Sequence, residues 1–139
     1  VIRQAIVDTG PLVAFMDRDE THHGWSVAQV QNLVEPLLVC EAVLAEALFL
    51  LRRLPSAQRA VLNLLNNGAL EIGFRLADNV AETQSLLAKY SDVPMSFADA
   101  CIVRMAELNT GHAVFTLDSD FRVYRKFGNK QLKLIAPMD

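Results

Sequence analysis

Short runs of Val, Ile, Leu and Ala recur along this chain, each closed by a turn signal and followed by a segment of helical periodicity. Five runs read as strands: Ala5-Ile6-Val7, Leu37-Leu38-Val39, Leu70-Glu71-Ile72-Gly73-Phe74, Ala113-Val114-Phe115-Thr116 and Leu132-Lys133-Leu134-Ile135. A strand apolar on both faces has no solvent side, so it belongs in a mostly parallel sheet covered by helices. The expected class is α/β.

The intervening segments supply the helices. Pro11 suits the first turn of a short helix over 12–16, because its missing N–H has no partner to lose there. Apolar residues recur at helical spacing over 22–34, 41–53, 56–65 and 77–90. The stretch 41–67 is long enough to stand away from the sheet as a helical hairpin. Ser96, with Asp99 three residues on, has the form of a capping box opening a helix that stops at Asn109-Thr110-Gly111. Residues 119–127 read as a short helix or helical turn.

With 139 residues the chain is expected to form one domain over 1–139, so that any catalysis and recognition share it. Sixteen acidic against 13 basic residues give a formal charge of -3, which argues against indiscriminate attraction to nucleic acid over the whole surface. Local basic groups remain, at Arg52, Arg53 and Arg59, and at Arg122, Arg125, Lys126, Lys130 and Lys133. Cys40 and Cys101 lie in apolar segments and do not make a disulfide framework. No apolar run approaches a membrane span, and the run Val1 to Val7 is too short for a signal peptide, so the expected location is cytoplasmic, with no membrane partner.

The chemistry lies at strand ends. Ligands of open parallel sheets gather outside the carboxyl ends of the strands. Asp8 closes the first strand, Asp118 lies just beyond the fourth, and Asp120 follows two residues later. Glu46 sits among Val43, Leu44, Ala45, Ala47 and Leu48, where a buried charge would need a partner. Glu41, by contrast, suits the first turn of that helix as an acid favoured by the dipole. If Asp8, Glu46, Asp99 and Asp118 converge, cations must offset their repulsion, and hard oxygen donors without a His or Cys cluster favour Mg2+ or Mn2+. Thr9 and Thr116 stand beside two of these acids, placed to orient carboxylates or water.

Asp8-Thr9 after the first strand, Glu46 in Val43-Leu44-Ala45-Glu46, Asp99 in Ser96-Phe97-Ala98-Asp99-Ala100, and Thr116-Leu117-Asp118-Ser119-Asp120-Phe121 together resemble the ordered motifs of PIN-domain ribonucleases. The resemblance spans practically the whole chain and is closest to the small VapC-like toxins of toxin-antitoxin systems. It implies a three-layer sandwich around a five-stranded parallel sheet, with an acidic pocket holding one or two Mg2+ or Mn2+ ions. Asp8, Glu46, Asp99 and Asp118 match the family's acidic quartet, with Asp120 as a supporting ligand and Ser96 shaping the pocket. The implied reaction is hydrolysis of an RNA phosphodiester by metal-activated water. A homodimer and a small antitoxin protein are the implied partners. The chain departs from the family at Gly10-Pro11, where an apolar residue usually follows the Asp-Thr pair.

Other readings differ in what they require. A non-catalytic RNA- or protein-binding module would keep the fold with its acids vestigial. A haloacid-dehalogenase-like phosphatase needs its paired aspartates after the first strand, where Asp8-Thr9-Gly10 has one. Arg52, Arg53 and Arg122 are the candidates to meet RNA phosphates. Phe49, Leu50 and Leu54 are candidates for a dimer or antitoxin surface. His22-His23 and the distant His112 lack zinc-ligand spacing and are expected to take surface or capping roles, and Trp25, Phe49 and Tyr124 are expected in the core or an interface.

Overall fold

The computed structural model describes residues 3–137. Val1 and Ile2, which begin the N-terminal run, and the last two residues of the expected domain 1–139 lie outside it.

Strand β1 (Ala5–Val7) is wholly buried and sits at the centre of a five-stranded sheet of order β3-β2-β1-β4-β7, in which every pairing is parallel. Its neighbours are β2 (Leu37–Val39) and β4 (Ala113–Phe115), both buried throughout, which is why their sequences show no polar alternation. Ile6 lies opposite Leu38 on one side and Val114 on the other. The edges are β3 (Leu70–Ile72) and β7 (Leu134–Ile135). Edge position explains why Glu71 and Ile72 are exposed while Leu70 is buried.

Helix α1 (Thr9–Met16) packs against α2 (His23–Val30), α3 (Glu41–Leu50) and α4 (Pro55–Asn66). Helix α5 (Val80–Lys89) packs on α6 (Phe97–Leu108), which also reaches β1, β4 and α3. Seven of the twelve residues of α6 are buried, including Ile102, Val103 and Met105, so this helix is held on more than one side.

The third strand ends at Ile72, short of the expected Phe74, and the 77–90 segment opens with a 3-10 turn over Leu76–Asp78 before α5 begins at Val80. Four further segments differ from their sequence patterns. The 22–34 segment is helical only to Val30, and Leu33 then forms an isolated parallel bridge with Arg3. The helical pair over 41–67 does not stand away from the sheet: Val43, Leu44, Ala47, Ala57 and Val61 bury their side chains in the common core. Residues 119–127 are not one helix. A 3-10 turn covers Ser119–Arg122, after which β5 (Arg125–Lys126) pairs antiparallel with β6 (Lys130–Gln131), and Phe127 and Gly128 take positive φ at the bend. Finally, the pairing of the last strand starts at Leu134, while Leu132 is buried outside it.

Strand order decides where a site can form. The chain steps outward from β1 through β2 to β3, then returns to place β4 on the other side of β1. Connections therefore leave β1 and β4 in opposite directions. The crevice at the carboxyl ends of these two strands is the topological switch point, where open α/β sheets bind ligands.

Candidate active site

Asp8 begins the site because β1 ends there. Its N–H donates to Phe115 O across the sheet at 2.9 Å, while its carboxylate caps α1 by accepting from the Thr9 N–H at 2.8 Å. The other carboxylate oxygen accepts from the Thr116 hydroxyl at 2.7 Å. Thr116 is fully buried at the end of β4, and its oxygen also accepts from the Asp118 N–H at 2.9 Å. One hydroxyl thus ties both strand ends together. Asp118 in turn caps the following 3-10 turn, accepting from the Asp120 N–H at 2.9 Å.

Glu46 is not buried, contrary to its apolar sequence surroundings. The buried face of α3 runs through Val43, Leu44 and Ala47, and Glu46 falls beside it, exposed, within reach of α1. Its carboxylate accepts from the Thr9 hydroxyl at 2.7 Å. Thr9 therefore joins two of the expected acids, its N–H to Asp8 and its hydroxyl to Glu46.

Asp99 and Ser96 form the expected capping box: the Ser96 hydroxyl accepts from the Asp99 N–H at 3.0 Å, and the Ser96 N–H donates to Asp99 at 3.3 Å. Capping leaves the Asp99 carboxylate with a further contact. The hydroxyl of Tyr124, a fully buried ring held between Tyr90 and Phe121, donates to the same oxygen at 2.9 Å. Tyr124 is core, as its sequence suggests, and also a site residue. Its place in the Asp120-Phe121-Arg122-Val123-Tyr124 segment carries no separate signal of that second role.

These elements line one open cleft of about 470 Å³, walled by Asp8, Thr9, Glu46, Ser96, Asp99, Asp118 and Asp120, with Gly10, Pro94 and Leu117 between them. Every expected acid reaches it. Gly10 is explained by the geometry, since a β-carbon there would stand 3.2 Å from Leu117 Cδ1. The start of α1 and the loop bearing Asp118 come too close for a larger residue without displacement. Arg52 and Arg53 do not line this cleft; Arg52 lies 4.1 Å above the Phe49 ring and donates to Phe49 O at 3.0 Å.

The electrostatics are those of crowded carboxylates. Burial pushes the Asp8 carboxyl up to about 6, against the hydrogen bonds from Thr116 and Thr9, with the charges of Asp99 and Asp118 adding to the rise. Asp99 is raised for the same first reason, burial, opposed by Tyr124 and Ser96. Burial and the adjoining Asp99 raise the Tyr124 hydroxyl, keeping it a donor. Among the described residues, no group of three or more His, Cys, Asp or Glu side chains stands in an arrangement that could hold a metal ion. The donor chemistry is nonetheless of the kind a hard divalent cation takes, because the titratable side chains lining the cleft are all carboxylates.

Residues 5–126 match the PIN domain. The chain belongs to the PIN-domain family. It is related to the VapC-like ribonuclease toxins, a relationship that supports nuclease-type chemistry in general. Ribonuclease VapC26 of Mycobacterium tuberculosis is 29% identical over 133 residues, which cover 94% of this PIN domain chain and 98% of that protein. The crystal structure of Mycobacterium tuberculosis VapC20, described as a Sarcin-Ricin loop cleaving toxin, shares the fold with a TM-score of 0.77 at 19% identity. That likeness covers 86% of this chain and 94% of the other. No helix among the described residues is long and apolar enough to cross a membrane.

Proposed function

We propose that this PIN domain is a ribonuclease that hydrolyses RNA phosphodiester bonds with Mg2+ or Mn2+, acting as the toxin of a toxin-antitoxin pair. The observation that carries the reading is the meeting of Asp8, Glu46, Asp99, Asp118 and Asp120 in one cleft at the β1/β4 switch point. Repelling carboxylates are costly to hold together, and a divalent cation offsets that cost. When bound, the ion supplies Lewis-acid stabilisation of a phosphodiester oxygen and a more acidic water.

Asp8, Glu46, Asp99 and Asp118 would hold it, with Asp120 in support. Thr116 fixes Asp8 against Asp118, Thr9 fixes Glu46 against Asp8, and Ser96 and Tyr124 fix Asp99. Such outer hydrogen bonds orient ligands and set their basicity. The exposed apolar side chains Phe49, Leu50, Leu54 and Leu62, on and between α3 and α4, are the surface offered to a second copy or to an antitoxin.

The test is cleavage of an end-labelled structured RNA by the purified chain with Mg2+ or Mn2+. Chelation should stop it. Asp8→Asn and Asp99→Asn should each retain the fold and fall below about one-hundredth of the wild-type rate, since even outer partners of metal ligands are worth 10–100-fold. Equal cleavage by wild type and both variants would sink the reading, and a folded chain that binds RNA without cutting it would favour a binding module.

A further inference from the structure

We propose that Cys40 and Cys101 are a site of reversible thiol oxidation, closing to a disulfide when a hydroperoxide enters the recess they share. Sequence puts them in different apolar segments, and the fold brings them together. Cys40 is the N-cap residue of α3, directly after β2, and Cys101 lies on the buried side of α6. These two helices pack on each other, and the two thiols share a hydrogen bond. Both are free cysteines of the common core.

Thiols that nothing reaches stay inert. Here a recess of about 100 Å³ has Cys40, Ala42, Phe74 and Cys101 along it together with the exposed side chains of Glu41, Leu76 and Phe97. It shares no lining residue with the carboxylate cleft. The space exceeds the roughly 30 Å³ share of a water molecule, so a peroxide can enter. Position at a helix N-terminus favours the thiolate, the nucleophilic form. The Cys101 hydrogen bond, and after it the N–H groups opening α3, hold the Cys40 thiol below its ordinary range against burial. Cys40 is therefore the attacking sulfur. It takes one oxygen of hydrogen peroxide as the O–O bond breaks, and the other oxygen leaves as water with the thiol proton. The Cys101 sulfur then attacks the sulfenic sulfur: an S–S bond replaces S–O, and the hydroxyl leaves as water with the Cys101 proton. Two electrons pass from the sulfurs to the peroxide, and a small dithiol returns them by exchange. The bond joins α3, which carries Glu46, to α6, which carries Asp99, and its formation is independent of whether the cleft cuts RNA.

The experiment treats the folded chain with hydrogen peroxide in the presence of a chelator, quenches with catalase, alkylates under denaturing conditions and maps the peptides, at two protein concentrations. Expected is a linked pair of peptides, Cys40 with Cys101, formed at a rate unaffected by dilution and reversed by dithiothreitol. During peroxide treatment, dimedone should label Cys40 in Cys101→Ala roughly tenfold more than it labels Cys101 in Cys40→Ala. The wild-type map needs neither variant, so it decides the disulfide even where a variant does not fold. Both thiols alkylated after treatment, sulfinic acid in place of a disulfide, or a link between two copies that slows on dilution overturns the site. Dimedone on Cys101 in preference to Cys40 overturns the order of attack.

Discussion

Asp8 performs two tasks that conflict at neutral pH. As the cap of α1 and the acceptor from Thr116 it stabilises the fold, yet its burial among other acids raises its carboxyl from 3.8 to about 6. The folded state therefore binds a proton that the unfolded state has released between about pH 4 and pH 6, so stability falls as pH rises through that window. Two pK units correspond to about 3 kcal/mol. Asp8→Asn escapes that penalty but accepts less well from Thr116, a loss of about 1 kcal/mol. In metal-free buffer the variant should be the more stable protein at pH 8, by about 2 kcal/mol, and the less stable at pH 4, by about 1. Denaturant melts at the two pH values check the crossing; a variant weaker at both would mean that Asp8 is not under this strain.

At the scale of elements, the acids sit where secondary structure begins or ends. Asp8 caps α1, Asp118 caps the 3-10 turn after β4, and Asp99 lies in the first turn of α6 with its capping partner Ser96. Polar residues at such points are legible in sequence because helix ends leave unpaired N–H groups. The same visibility hides function, since a cap and a ligand use the same side chains. Glu46 shows the opposite problem: its neighbours suggest burial, but only the packing of α3 against α1 and α6 decides that it faces the cleft. Ser96→Ala separates capping from site formation. It should cost about 1 kcal/mol by urea unfolding with an unchanged m value, while Asp99 keeps its bond to Tyr124 and cleavage drops about tenfold, the low end for an outer partner of a metal ligand. A loss of cleavage equal to that of Asp99→Asn would show that the capping box, and not Tyr124, positions Asp99.

For the whole molecule, a divalent cation held by the carboxylates of the cleft should make stability respond to metal. Mn2+ or Mg2+ at 100 times its dissociation constant should add about 2.7 kcal/mol to wild type, roughly 8–12 °C in melting temperature for a chain of this size, and little to Asp8→Asn. Thermal melts with and without chelator measure it; equal shifts in the two proteins would place the ion elsewhere. The apolar runs, the capping pattern and the residue types of the acids are local properties, so sequence alone determined the α/β class and the places of the five sheet strands, and it named the acids as candidates without deciding that they meet. Residues 119–127 escaped because the β5–β6 ribbon depends on pairing with a segment beyond them. Tyr124 escaped because a core aromatic and a donor to Asp99 have the same local pattern. Tertiary structure decided that β4 returns beside β1, that Thr116 bridges Asp8 and Asp118, and that Cys40 and Cys101 share a recess. The physical reason is range: propensity and periodicity act over a few residues, whereas strand order brings together side chains separated by up to 108 positions.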